Sequence, residues 1–339
     1  MSRKISHSLV SGRAGAGTGG QGLKIEWGST DQLGQLHWKD VHEGSLAPIR
    51  MGDRGVLSGK SASGSYGKNL IQYFDITTTG NASDFGNTLQ DKYGQASASN
   101  GSRIVSGGAG YPAVNTMEYI TVSATGNATD FGDLLGPNYN FSAASDGIKG
   151  VWHGGDGDDA AVDVLQYVII ATTGNATDFG DLLGTSGGGN FGASDGSRGI
   201  VAGRIEEPGS STYDDINYYT FSTPGNASDF GNLTVERYGA GSVSNDTRGV
   251  FAAGRSGGYV NTMDYITIAS TGNATDFGDL DRVGKYLTGV NNQTRGCICG
   301  GSYSFSDSIS HITISSTGNS TDAGNLVEQT DMAGGASGD

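Results

Sequence analysis

Apolar and polar residues alternate with period two in six short stretches along the chain: IQYFDIT, MEYITVS, LQYVIIA, NYYTFS, MDYITIA and SHITIS. Such alternation predicts strands that present a different environment on each face. Ile120 and Val122, Val168 and Ile170, Tyr219 and Phe221, Ile266 and Ile268, and Ile312 and Ile314 share one face, with Phe74 and Ile76 in the first copy. Tyr and Thr fill most of the other, so both faces are semi-apolar, as in a sheet packed between two neighbouring sheets. Ahead of each stretch runs a small-residue segment that opens on a base, as in RIVSGG and RGVFAAG. The bases are Arg54, Arg103, Lys149, Arg198, Arg248 and Arg295. The Gly and Ala that follow them predict a strand where backbones converge, such as the narrow middle of a radial array.

The stretches are evenly placed. Their central residues are Tyr73, Tyr119, Tyr167, Tyr218, Tyr265 and His311, and seven residues later comes Gly80, Gly126, Gly174, Gly225, Gly272 or Gly318. These glycines are 46, 48, 51, 47 and 46 residues apart. Each belongs to a turn that reads TGNATDFGDL without change from Thr125, Thr173 and Thr271, and nearly so from Thr79, Pro224 and Thr317. A catalytic site seldom needs six copies of one loop, whereas a self-stacking architecture does. Within the turn, Gly permits a positive φ. Asn81, Asn127, Asn175, Asn226, Asn273 and Asn319, with Asp84, Asp130, Asp178, Asp229, Asp276 and Asp322, can bond nearby backbone groups. Phe85, Phe131, Phe179, Phe230 and Phe277 anchor each turn against a neighbour, and Ala323 stands in the last copy. The six bases and six aspartates are expected to form a ring of structural ion pairs.

The expected fold is all-β: a six-bladed β-propeller over residues 51–339, preceded by a Gly-rich N-terminal extension over residues 1–50. Units of this length, with several short strands and a Gly pair closing one of them, resemble kelch-type blades. From turn Gly to next base the distance is 23, 23, 24, 23 and 23, and from Gly318 to Asp339 it is 21. VEQTDMAGGASGD therefore predicts a strand that pairs with the first blade at Arg54 and leaves the ring without a free edge.

Composition narrows the function classes. Sixty glycines and only 16% charged residues in 339 suit a turn-rich β protein. A net charge of −15 disfavours phosphate backbones and anionic membranes as partners. No apolar run follows MSRKISHSLV, so a Sec signal peptide is not expected, and no run is long enough to span a bilayer. Cys297 and Cys299 replace small core residues of other copies. His37 and His42 lack an evident third ligand, and the Asn-Ala-Ser/Thr triplets read as turns rather than calcium or glycan sites. No metal or cofactor is expected. Ser145-Asp146-Gly147 with Trp152 lacks the spacing of a sialidase Asp box, and the five histidines are scattered at 7, 37, 42, 153 and 311. No GxSxG, HExxH or P-loop occurs, so enzymatic activity is not expected.

The string YITIASTGNATDFGDL from Tyr265, with RGVFAAGR before it, resembles the kelch-like repeats in virion structural proteins of marine tailed phages, including those that infect cyanobacteria. The resemblance covers roughly residues 50–339, with departures at Lys149, His311 and Ala323. It implies a propeller assembled in the host cytoplasm and displayed on a virus particle as a tail fibre or similar appendage, in several copies. The break in periodicity makes residues 1–50 the expected attachment segment to other virion proteins. The alternative is an architectural part, such as a capsid decoration or tail adaptor, without a receptor role.

Recognition is expected where the repeat varies. From base to Tyr or His the distances are 19, 16, 18, 20, 17 and 16, so length changes are confined to one class of loop on one face. These loops carry Tyr66, Tyr111, Tyr213, Tyr259, Tyr303 and Phe305, with Asp156, Asp158, Asp159, Glu206 and Glu207. Aromatics on Gly- and Ser-rich loops of a rigid scaffold suit stacking on sugars or contact with a protein.

Overall fold

Each repeat folds into a four-stranded antiparallel sheet, and the described residues form six of them. The computed structural model describes residues 51–339 except 63–64, 111, 158–160, 207–210 and 304–305, and at 61–62, 65–66 and 161 the backbone alone. From the axis outward a blade carries an inner strand, the base-led strand, the Tyr-centred strand and the turn-led strand; in the second blade these are Ala96–Ser99, Arg103–Ala109, Val114–Thr121 and Thr129–Asp133. The first blade takes its inner strand from the far end of the chain: Gly334–Gly338 pairs with Arg54–Ser58, so the expected closure is present.

The base-led strand is not innermost, contrary to the sequence expectation. The middle is taken by the segments just before it: ASAS, SAAS, FGAS, GSVS, TGVN and GGASG. Six strands can converge on one axis only with such small side chains. A Cβ on Gly289 would lie 1.8 Å from the Ser242 carbonyl oxygen. The apolar core is divided into clusters between blades. Phe131 and Met117 of the second blade pack with Trp152, Val168 and Ile170 of the third, all buried. Cys297 and Cys299 are free, buried core residues, and burial pushes the Cys297 thiol up to about 11.

The repeated turn pairs with another copy of itself. Gly126 and Ala128 of the second blade donate to the carbonyls of Phe85 and Asn87 on the outermost strand of the first, both at 2.8 Å. The Asn87 amide in return donates to Asn127 Oδ1 at 3.0 Å. The same Asn bond recurs from Asn175, Asn226, Asn273, Asn319 and Asn81 to Asp133, Asp181, Asn232, Asp279 and Asn325. Thus Asn reaches the preceding blade rather than its own turn, and each turn covers the free edge of that blade's outer strand. A Cβ on Gly132 would lie 2.5 Å from the Gly174 carbonyl oxygen, so the Gly after Phe is needed where the next turn crosses. One sequence must fit both halves of every clasp. That requirement explains six near-identical copies.

The expected ring of ion pairs does not form. Among the described residues no ion pair joins a leading base to Asp84, Asp130, Asp178, Asp229, Asp276 or Asp322, and all six aspartates are exposed on the outer strands. Arg54, Arg103, Lys149, Arg198 and Arg248 lie over the Tyr of their own blade instead, with Arg103 at 4.2 Å from the Tyr119 ring centre and Arg248 at 4.5 Å from Tyr265. Their donors reach a backbone carbonyl of the next blade, as Arg103 does to Ala171 at 3.0 Å. Charge on an exposed edge strand discourages pairing with another sheet, which suits these aspartates where they stand.

Two further features hold the blades in order, five buried acceptors and one closed ring. Gln72, Glu118, Gln166, Asn217 and Asp264 are buried, and each accepts a backbone N–H from the preceding blade. The acceptor is an acid in the two cases where that blade also brings a buried cation: Lys92 lies 3.1 Å from Glu118, and Arg237 lies 2.8 Å from Asp264. The ring is a collar at the axis. Gly94, Asn140, Gly189, Gly239, Tyr286 and Met332, one residue before each inner strand's flanking position, bond head to tail through N–H···O=C contacts of 2.5–3.1 Å in a closed circle. All six have φ between +53° and +71°, uncommon for Tyr and Met.

At the other end of the axis the inner strands bring together Ser99, Ser145, Ser194, Ser244, Asn291 and Ser337, and Met51 lies among them with its sulfur 3.4 Å from Asn291 Nδ2. The next residues form Asx turns: Asp146 Oδ1 accepts from the backbone N–H groups of Ile148 and Lys149. The chain therefore enters the propeller beside the axis, on the face that carries the Asx and TGN turns.

Candidate binding face

Antiparallel order puts every connection between base-led and Tyr-centred strands on the face opposite that entry point, together with the collar. The hairpin of the fourth blade joins Arg198–Glu206 to Ser211–Thr220, and that of the fifth joins Arg248–Ser256 to Gly258–Thr267. Of the sequence-predicted residues, Asp156, Glu206, Tyr213, Tyr259 and Tyr303 are described. Tyr111, Asp158, Asp159, Glu207, Phe305 and the side chain of Tyr66 lie outside the described residues.

Tyr213 is held rather than loose. The Arg204 guanidinium sits 3.9 Å from its ring centre and is itself fixed by Asp215 at 3.2 Å and the Thr185 carbonyl at 2.8 Å. Its hydroxyl donates to Glu206, and that bond is the main reason its phenol titrates above the usual range. Tyr259 and Tyr303, from the fifth and sixth blades, have ring centres 4.7 Å apart, and Tyr303 is 65% exposed. Asp156 serves the scaffold: its backbone exchanges two bonds with Tyr139, and its carboxylate accepts from Asn140 Nδ2 at 3.5 Å.

Between the fourth and fifth hairpins runs a groove of about 670 Å³, lined by Thr212, Tyr213, Glu236, Tyr238 and Arg255. Arg255 and Lys285 both donate to the Tyr238 hydroxyl, at 3.4 and 3.2 Å, and the Lys285 ammonium lies 4.3 Å from the Tyr286 ring centre. The groove offers aromatic faces, one carboxylate and one guanidinium within a volume usual for small-ligand sites. Sequence reasoning missed Glu236, Tyr238, Lys285 and Tyr286, which follow the outer strands where repeat length hardly varies. Their signal is an aromatic just ahead of the small-residue strand, repeated at Tyr93, Tyr139, Tyr238 and Tyr286.

His153 bonds the Tyr219 hydroxyl at 2.7 Å and Ser142 Oγ at 2.9 Å, and complete burial lowers its imidazole to about 3. Among the described residues no three His, Cys, Asp or Glu gather as metal ligands, and no helix is long and apolar enough to cross a membrane. No protein-family model matches the chain, and no curated protein matches it either.

Proposed function

We propose that the propeller is a non-enzymatic binding module of a tailed-phage virion, a tail fibre or similar tail-associated appendage. Residues 1–50 attach it to other virion proteins, and the hairpin face engages a host-surface glycan or protein. The observation that carries this reading is the opposition of the two faces: the chain enters beside the axis at Met51, and the exposed Tyr303 with the half-buried Tyr213 and Tyr259 stands on the far side. A module tethered through its N-terminal segment presents those hairpins outward. The kelch-like repeat and its resemblance to phage structural proteins supply the particle, and rigid aromatics on unequal loops supply the contact surface.

The regular six-fold turn face supports a second reading, a capsid decoration or tail adaptor packed against a symmetric neighbour. Attachment of the purified chain to host cells, and to polysaccharide extracted from them, separates the two. The double substitution Tyr259→Ala, Tyr303→Ala is expected to reduce attachment at least tenfold while the fold persists. Attachment equal to that of the unaltered chain would leave the architectural reading.

A further inference from the structure

Residues 51–339 hold fourteen bases. The six that lead strands each donate to a backbone carbonyl of the next blade. Lys60, Lys68, Lys92, Arg204, Arg237 and Arg282 are paired with acids. Arg255 and Lys285 remain, and among the described residues neither is ion-paired. On a chain of net charge −15, the two bases without an acid also come together. Arg255 Nη1 and Lys285 Nζ donate to one atom, the Tyr238 hydroxyl oxygen, at 3.4 and 3.2 Å. Both side chains are half-buried. Each head otherwise lies over an aromatic ring, Arg255 at 5.6 Å from the Tyr259 centre and Lys285 at 4.3 Å from that of Tyr286.

Two like charges crowded on one oxygen repel, and the guanidinium keeps most of its N–H donors unspent. A single acid group set against both bases offsets the repulsion and accepts a forked pair of bonds from the guanidinium. The place is open to a ligand, because Arg255 and Tyr238 line the groove of about 670 Å³ between the fourth and fifth hairpins. Ser211, Thr212, Tyr213 and Glu236 also stand on its wall, and Glu236 is exposed. Set against two bases, Glu236 leaves one net positive charge, which matches a carboxylate and not the nearly double charge of a phosphate monoester. A run of acidic residues in a peptide brings a further carboxylate towards Glu236. A sugar acid brings hydroxyls there instead, and a carboxylate accepts from them.

We propose that this groove holds an acidic sugar of a surface polysaccharide, with its carboxylate on Arg255 and Lys285 and its hydroxyls on Glu236 and Thr212. The proposal rests on the hairpin face being the contact surface, and it names what that face selects. A neutral sugar of the same shape leaves both bases unmatched.

The full chain is titrated calorimetrically with oligomers of glucuronate, galacturonate and mannuronate, with acetate, and with a glutamate peptide. Polysaccharide extracted from host cells is compared before and after chemical reduction of its carboxyl groups to alcohols. Uronate oligomers are expected to bind, and carboxyl reduction is expected to weaken polysaccharide binding about tenfold or more. Arg255→Gln and Lys285→Gln should each cause a similar loss while the melting midpoint stays near that of the unaltered chain. Equal affinity for native and reduced polysaccharide overturns the proposal, as does acetate or the peptide bound as tightly as the uronates, or no binding of any uronate. Uronates bound in solution without attachment to host cells keep the acidic-sugar site and remove the receptor role. Attachment lost in the Tyr259, Tyr303 variant but unchanged in the two base variants does the reverse. Should the base variants fail to fold, native and reduced polysaccharide on the unaltered chain still decide.

Discussion

The turn face and the hairpin face are built from the same six repeats, yet one is nearly identical in every blade and the other is not. On the turn face each TGN segment is at once the cover of one blade and the covered edge of the next, so a change in one copy must suit two neighbours. Gly132 shows the constraint: its missing side chain makes room for the Gly174 backbone of the following blade. No such reciprocity binds the hairpins. Gly257, at the tip of the fifth, has nothing within 4 Å of an added Cβ. Regularity is therefore the mark of residues that hold the ring. Irregularity marks residues that the ring leaves free, and the binding surface is sought among these.

The strongest way to break the ordered side is to open it. Removal of residues 334–339 takes away the inner strand of the first blade and its five registered pairs with Arg54–Ser58. It also removes Asp339, whose carboxylate accepts the Asp53 amide at 2.7 Å. Both edges of the opening become pairing templates. Loss of the single cooperative transition, with aggregates in size-exclusion chromatography, is the expected result. A truncated chain that melts like the full one would show that closure does not hold the disc.

One interior site departs from the repeat and gives a large effect in acid. His153 and Tyr219 replace residues that are small or aliphatic in most blades, and the imidazole is lowered by burial to about 3. Above pH ~6.5 it is neutral folded or unfolded and contributes nothing. As the pH falls below that value the unfolded chain takes up a proton that the folded chain refuses, so stability drops by about 1.4 kcal/mol per pH unit until pH ~3. Denaturant melts between pH 7 and pH 4 measure this slope. His153→Gln, which cannot titrate, should flatten it; an unchanged slope would assign the acid sensitivity to other groups.

The ring was legible in the sequence because its clasp is local and written in side chains. Spacing gave the blade number, and the 21 residues after Gly318 gave the closure. The collar was not legible. Its members are Gly, Asn, Gly, Gly, Tyr and Met, and they act through peptide groups and a left-handed φ that composition does not announce. The acids Glu118 and Asp264 were hidden for another reason: their value depends on cations 26 and 27 residues away, which only the packed blades bring near. On the hairpin face, length variation pointed to Tyr213 and Tyr259. It could not point to Tyr238 and Glu236, whose loop keeps nearly constant length while lining the same groove.

Two glycine substitutions compare the faces directly. Gly132→Ala places a Cβ at 2.5 and 2.6 Å from backbone atoms of Gly174, at φ +143°. Backbone cannot swing aside as a side chain can, so a loss of about 2–4 kcal/mol is expected. Gly257→Ala meets no atom and bears only the cost of its φ of +63°, about 1 kcal/mol. Chemical denaturation of the two variants gives the difference. Equal losses would mean that the crossing of turn and outer strand is slack, and the clasp would no longer explain the repeated sequence.

The smallest effect on stability is expected where the largest effect on attachment is sought. Tyr303 is 65% exposed, and Tyr259 of the preceding blade is in direct ring contact with it. Both rings also stand clear of the inter-blade apolar clusters, none of which includes them. Their mutual contact is worth at most about 1 kcal/mol, part of which water restores when the rings are gone. The double substitution Tyr259→Ala, Tyr303→Ala should therefore change stability by about 0.5 kcal/mol or less. At this chain length the melting midpoint then moves by only about 1 °C or less. A drop several times larger would show that this pair braces the fifth and sixth blades, as the turn clasps brace the other face. Its exposure would then reflect structure, and any loss of attachment in the same variant would have to be reassigned to a distorted hairpin.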